Sequence, residues 1–363
     1  MFVFAVTQLS HLIIGDLSVA GLGRAAFLLL VVWWAWIYTT WMVNWFDPAS
    51  AKVRAVLVAV MLASLLMSAA LPVAFTSRSW LFAGAYVVLQ VGRNAAGALL
   101  VQRPHGLRSV FERLLCWSVV AGALWLAGAA LHGDARFLLW APALALELLA
   151  PFAGYWLPGR GRLATTAYEI EGGHFAERCQ GFIIIALGES IVVTGATAAD
   201  QGLTATVVLC LAVAFIEAAA LWWLYFGVAA EHSRATMTRS ADSGRLARDA
   251  YTYLHLPIIA GIIMSAVGDD LLITHPHDAL HGVGLAMVLG GPSLYLIGEN
   301  LFRLRMTGTT NAKRFGAAAA LVALALLGSH VSALVTSAIV ALLLVALAIW
   351  ELQRPAAAPQ LPA

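Results

Sequence analysis

The feature that most constrains this chain is its succession of long apolar runs. Residues 55–77 and 331–350, for example, contain no charged side chain at all. An apolar run of about 18 residues or more reads as a helix that crosses a bilayer. A helix can do so because its backbone satisfies its own hydrogen bonds, with no water needed. Only 11% of the 363 residues are charged and 61% are hydrophobic; an ordinary soluble domain is about 25% charged. The fold class expected is an all-α polytopic transmembrane bundle, with the lipid bilayer as its principal partner.

The runs divide into about 12 spans: 2–15, 25–46, 55–77, 80–102, 112–131, 136–156, 178–199, 203–229, 252–274, 280–301, 315–329 and 331–350. The distribution of positive charge tests that division. All but three of the 21 Lys and Arg residues fall after even-numbered spans or in the C-terminal tail, the exceptions being Arg24, Arg78 and Arg136. Arg93 lies inside span four, and the asymmetry survives its removal. The chain is therefore expected in the cell membrane as a multi-pass protein with both termini cytoplasmic. Arginine far outnumbers lysine (Lys52 and Lys313 alone), and Ala and Gly abound, as in a high-GC bacterial genome. Cys116, Cys179 and Cys210 have no paired spacing, so neither a disulfide nor a thiolate metal site is expected. No basic segment precedes the first apolar run, and a cleaved signal peptide is not expected.

The two halves of the chain echo one another. "FAVTQLS" (4–10) matches "IIALGES" (184–190), and "WWAWIY" (33–38) matches "WWLYFG" (222–227). "LMSAA" (66–70) matches "IMSAV" (263–267), and "ELLAP" (147–151) matches "ELQRP" (351–355). The offsets grow in order along the chain, as loop insertions would make them. The expected organisation is a parallel duplication of a six-span unit: 1–156, a cytoplasmic linker at 157–177, a second unit at 178–350, and a tail at 351–363. Many transporters are duplicated in this way, with sites where the repeats meet.

The segment "HFAERCQGFIIIALGESIVV" (174–193) carries a family resemblance. A His-x-x-Glu-Arg stretch leading into an apolar Leu-Gly-Glu-Ser resembles the hallmark of the bacterial low temperature requirement A (LtrA) family. "FVFAVTQLSH" (2–11), the Trp pair at 33–34, "LWWLYF" (221–226) and "YLHLPIIAGIIMSAVG" (253–268) resemble further blocks of that family, so the likeness covers nearly the whole chain. Two departures stand out. The family opens span one with an acidic-aromatic stretch ending Phe-Phe-Asp-Leu, which is missing before Phe2. The family's glycine after the Glu-Arg pair falls one place later here, as Gln180–Gly181. The resemblance implies a multi-pass membrane protein and supplies no mechanism.

Polar groups inside the apolar runs are the functional candidates. Glu189 lies near the middle of span seven, where an acidic residue costs roughly 2.5–3.5 kcal/mol and normally faces a bundle interior or watery cavity. It is read as a proton or cation site, with Ser190 as an auxiliary hydrogen-bonding group. Glu217 in span eight and Glu147 in span six are further titratable candidates. Arg93 carries a fixed charge and is expected to pair with a buried carboxylate such as Glu147, Glu189 or Glu217. His174, Glu177 and Arg178 form a polar cluster at the mouth of span seven, read either as a gate or as a capped helix start. Arg178 and Glu189 share a face but stand about 16 Å apart along the helix, so they cannot touch. His255 opens span nine. Gln8 and His11 form a polar strip on span one, and Gln8 is taken as the first-repeat counterpart of Glu189, one place out of register with the match of 4–10 to 184–190. The aromatic rows Trp34, Tyr38, Trp41, Trp45 and Phe215, Trp222, Phe226 are expected to serve packing, lipid contact and interfacial anchoring.

Other chemistry finds little support. The external stretch "GDDLLITHPHDALH" (268–281) has His277 and His281 at helical spacing, but no tight metal motif. Gly188-Glu-Ser190 lacks a nucleophile elbow, and Gly21–Ala26 lacks the strand–helix setting of a nucleotide loop. No catalytic residues, cofactor, resident metal or nucleic-acid partner is expected. The reading that follows is a non-enzymatic secondary transporter or ion pathway for a small solute or ion, a proton or another cation. The alternative is a non-transporting sensor or assembly protein with structural buried polar groups. Substrate, direction and oligomeric state are not written in the sequence.

Overall fold

The computed structural model describes residues 2–101, 106–167, 170–227 and 235–352. Arg103, Arg234, Arg354 and the tail beyond residue 352 lie outside these residues. The described chain is all-α. Its main helices are α1 (Phe2–Gly15), α2 (Val19–Trp45), α3 (Ala51–Ala70), α4 (Ser79–Leu100), α5 (Gly106–Ala130), α6 (Phe137–Leu149), α7 (Gly172–Gln201) and α8 (Ala205–Phe226). They continue with α9 (Ser243–Thr274), α10 (Gly282–Thr307), α11 (Ala312–Gly328) and α12 (Ala333–Leu352).

Each of the twelve apolar runs falls on one of these helices. Among the described residues, however, eight helices are both long and apolar enough to cross a membrane: α2, α3, α5, α7, α8, α9, α10 and α12. The others fall short for visible reasons. Helices α1, α6 and α11 have 14, 13 and 17 residues. Helix α4 has 22, but Gln90, Arg93 and Asn94 dilute its apolar character. The chain is an integral membrane protein with at least these eight candidate spans.

Several helices do not begin where their apolar stretch begins, because caps rather than hydropathy set the ends. Ser18 accepts from Gly21 N at 3.0 Å to open α2. Thr204 accepts from Val207 N at 3.3 Å to open α8. Asp242 accepts from Arg245 N at 2.9 Å to open α9. Helix α10 stops at Gly308, which takes the left-handed conformation (φ 70°) that glycine adopts without a Cβ penalty.

The chain divides into two compact units. The first comprises Met1–Ile185, Ser233–Leu256 and Arg305–Thr307; the second comprises Ala186–His232, Pro257–Leu304 and Gly308–Ala363. In the first, α4 packs on α3 and α5, and α5 on α6. Its core is aromatic. Trp125 and Trp140 are fully buried, with ring centroids 5.4 Å apart, and Phe82 and Tyr86 pack against Trp125. Trp33 and Trp34 are buried as well, and Trp33 Nε1 donates to the Thr252 carbonyl at 2.7 Å. Of the span-two aromatic row, Trp34 and Trp41 are buried, and Trp34 packs on Tyr38 with ring centroids 4.9 Å apart. In the second unit, α8 packs on α12, and Ala198, Cys210, Ala214, Leu272 and Ala341 lie in one apolar cluster. Phe215 and Trp222 of α8 face outward, as lipid-facing side chains would.

Within α9, Ala247–Leu254 is π-helical. Pro257 lacks the N–H that a regular turn there would need, and its ring crowds the carbonyl four residues back. Side chains reach back to carbonyls of this turn: Thr252 Oγ1 donates to Ala247 O at 3.0 Å, and His255 Nδ1 lies 3.4 Å from Ala250 O.

Candidate functional site

In the second unit, three carboxylates are buried together. Glu217 of α8 is 3% exposed, and Asp269 and Asp270 of α9 are 4% and 7% exposed. Asp269 lies within electrostatic reach of both Glu217 and Asp270. Their other neighbours are hydroxyls. Thr197 donates to Asp270 Oδ1 at 2.6 Å, and Ser265 stands beside Glu217. The Ser265 Oγ itself meets no described partner in full hydrogen-bonding geometry. Carboxylates gathered in a low-dielectric interior are costly as charges.

This arrangement corrects one expectation. The expected span 252–274 is met by α9, which ends at Thr274 and buries both aspartates; what is corrected is the overlapping reading of 268–281 as an external stretch, which holds only beyond Thr274. His275, His277 and His281 follow beyond the helix. No group of three metal-ligating side chains occurs among the described residues.

Beside Asp269 lies an outward-open pocket of about 460 Å3, with Ser190, Thr194 and Asp269 as its polar lining and the exposed Ile191, Val208 and Phe215 among its apolar walls. Ser190 Oγ donates to Leu187 O at 2.9 Å, and Thr194 Oγ1 to Ser190 O at 2.5 Å. Glu189 is buried at 5% exposure one residue from that lining. Of the expected transport residues, the second unit therefore holds Glu189, Ser190 and Glu217.

Arg93 and Glu147 belong to the first unit, and no direct ion pair joins them. Glu147 Oε2 accepts from Tyr86 at 2.8 Å and from Trp125 Nε1 at 3.3 Å. Gln90 Nε2 donates to the Tyr86 hydroxyl at 2.8 Å, and Gln90 Oε1 accepts from Arg93. Arg93 also donates to Ala35 O at 3.3 Å and covers the Tyr38 ring at 5.3 Å. The expected pairing of Arg93 with a carboxylate is thus corrected to a relay, because Gln90 and Tyr86 occupy the space between the two charges.

The gate residues are spread out. His174, Glu177 and Arg178 are exposed at the start of α7. His174 Nδ1 lies 3.3 Å from Glu171 Oε2, and the Glu171 carboxylate also accepts from the His174 and Gly173 amides. Glu171, at the positive end of the helix dipole, is the capping acid that the sequence reading passed over. His255 is fully buried in the first unit, stacked on Tyr251 at 4.8 Å. On α1, Gln8 is half-buried and His11 exposed.

A second missed cluster lies in the second unit. Arg314 is 1% exposed, although by sequence it counts as a loop charge. It donates to Glu351 through Nε (2.9 Å) and Nη2 (2.8 Å), to Glu299 through Nη1, and to Leu224 O at 2.9 Å. In the first unit Arg113 behaves likewise, holding the carbonyls of Tyr155, Arg160 and Gly161 at 2.6–3.1 Å.

Comparison with known proteins agrees with the sequence hallmark. The family model of the bacterial low temperature requirement A protein (LtrA) matches residues 1–349. An uncharacterized protein of Rhizobium meliloti (strain 1021) is 34% identical over 301 residues, covering 82% of this chain and 73% of that protein. No solved structure matches the chain. A match over essentially the whole chain, in a membrane protein built of apolar helices, makes this chain a member of the bacterial low temperature requirement A family.

Proposed function

We propose that this protein is a secondary transporter or ion pathway, not an enzyme, and that the buried acids of the second unit take up a proton or another cation. The observation that carries the reading is the group Glu217, Asp269 and Asp270, with an outward-open pocket lined by Ser190, Thr194 and Asp269. Intramembrane carboxylates are costly, and selection retains them chiefly where charge moves or binds. Glu189 is buried one residue before Ser190 on the α7 stretch that lines the pocket, and Ser190 supplies a hydroxyl to it.

The duplication of a six-span unit, with twelve crossings and both termini cytoplasmic, belongs to the same proposal. It is supported by the four ordered sequence matches; a similar pattern of tied acids, out of register with those matches between α4 and α10, occurs in both halves. Tyr86 and Gln90 stand four residues apart on α4, which a hydrogen bond ties to Glu147 of α6. Tyr295 and Glu299 stand four apart on α10, which Arg314 ties to Glu351 of α12. Glu147 and Glu351 are the residues that the repeat brings into register. The acid pair Asp269–Asp270 has no acidic counterpart in the first half, where the repeat aligns Pro72 and Val73.

Flux in proteoliposomes tests the reading. Wild-type protein is expected to show cation- or proton-dependent flux that changes with pH. Asp269→Asn and Glu217→Gln are each expected to lower it by about tenfold or more, the factor that accompanies a change of ~1.4 kcal/mol. Glu189→Gln is expected to flatten the pH dependence. Equal flux from Glu189→Gln and wild type at every pH would remove Glu189 from the coupling role. Wild-type vesicles no leakier than empty ones would favour the sensor or assembly reading instead.

A further inference from the structure

We propose that Glu299, Arg314 and Glu351 form a second, separate binding site for one small monovalent cation, a proton or an alkali ion, held on the Oε1 oxygen of Glu299. The argument begins with charge. Glu299 and Arg314 are 0% and 1% exposed, and the Glu351 side chain is 13% exposed. Two carboxylates thus share one guanidinium in a nearly dry setting.

The hydrogen bonds are uneven in the same sense. Glu351 is fully engaged: both its oxygens accept from Arg314, and Oε1 also accepts from Asn311 Nδ2 at 2.7 Å. Glu299 has one oxygen on Arg314, and its Oε1 is buried without a hydrogen-bond partner among the described residues. An unmatched carboxylate oxygen in a low-dielectric interior is among the least favourable polar placements. The remaining Arg314 donation goes to Leu224 O, so the guanidinium has little left to offer.

The neighbouring groups do not close the deficit. Tyr295, one turn before Glu299, donates its hydroxyl to Leu221 O at 2.7 Å. Arg303, one turn after, acts on Glu299 from a half-exposed position where water and salt weaken it. Lys313 is half-exposed, donates to Trp350 O at 3.0 Å and covers the Trp350 ring at 4.3 Å. One positive charge is still called for, and the oxygen that faces it is Glu299 Oε1. None of Glu217, Asp269 or Asp270 takes part, so this site stands independently of the proposed pathway.

The test is infrared difference spectroscopy of the full-length protein in lipid, stepping from acid to alkaline buffer with choline as the only other cation. Wild type is expected to give up the protonated-carboxyl band of one residue more than Glu299→Gln does. Glu351→Gln is expected to lose the same band, because removing either carboxylate balances the charge; this second variant keeps the test valid should Glu299→Gln not fold. Persistence of the band when sodium or potassium replaces choline assigns the site to a proton. Its suppression by one of those ions assigns the site to that alkali ion. Superimposable spectra for wild type and both variants, in every buffer, overturn the proposal.

Discussion

Arg314→Met is expected to destabilise the folded protein by about 3–5 kcal/mol, the range measured when one partner of a buried ion pair is removed. Methionine fills much of the volume of the arginine stem, so packing changes little. What changes is charge, since Glu299 and Glu351 lose their shared cation and Leu224 O loses its donor. Thermal unfolding in detergent is the measurement. The same substitution combined with Glu299→Gln and Glu351→Gln is expected to recover most of the loss, because a buried polar group without charge is far cheaper than an unpaired carboxylate. A single variant that melts like wild type would mean that the triad contributes nothing to the fold.

This cluster also shows what the sequence does and does not disclose. Hydropathy marks where apolar backbone lies, and all twelve runs fall on helices. It does not mark where helices end, because ends follow caps: Ser18 and Asp242 lie outside their apolar runs, and Thr204 just inside its own. The charge rule assigns Arg113 and Arg314 to loops by position, yet a long side chain at a span end can fold back into the bundle and bury its guanidinium. Asp269 and Asp270 lie inside the expected span 252–274 and also open the stretch 268–281 that reads as external; packing decides that α9 carries them inward. Glu299 is a different omission. It is an acid inside an apolar run, the same signal that singled out Glu189, and the sequence held it in plain view. The Gly-Glu-Ser hallmark was enough to place the chain in its family, but hydrogen-bond relays such as Arg93–Gln90–Tyr86–Glu147 join residues from two helices and cannot be read from either alone.

The other large effect is expected where α9 and α10 of the second unit cross on glycine. A Cβ at Gly291 would stand 2.6 Å from Ser265 N and 2.9 Å from Ser265 Oγ; one at Gly261 would stand 2.6 Å from Tyr295 N and 2.7 Å from Gly291 O. The nearest atoms are backbone, so no rotamer change relieves the contact, and the helices must separate. Small residues serve this purpose in membranes, where close backbone approach replaces the hydrophobic drive that lipid cannot supply. Gly268 and Gly298, each seven residues on from one of these positions, continue the seam, with a Cβ 3.1 Å from Val288 Cα and 2.9 Å from Ile258 N. Gly291→Ala is therefore expected to cost about 3 kcal/mol, the upper end for overpacking, and Gly291→Leu to abolish monodisperse protein on size exclusion. Gly290→Ala is the matched control, because its Cβ meets only the tip of Met264 at 3.4 Å; it is expected to melt like wild type. The seam positions the α9 segment that bears Ser265, Asp269 and Asp270, so Gly291→Ala should also shift the pH dependence of any flux, whereas Gly290→Ala should not. Identical melting of the two alanine variants would refute the close crossing, and with it the rigid support it gives to the buried acids.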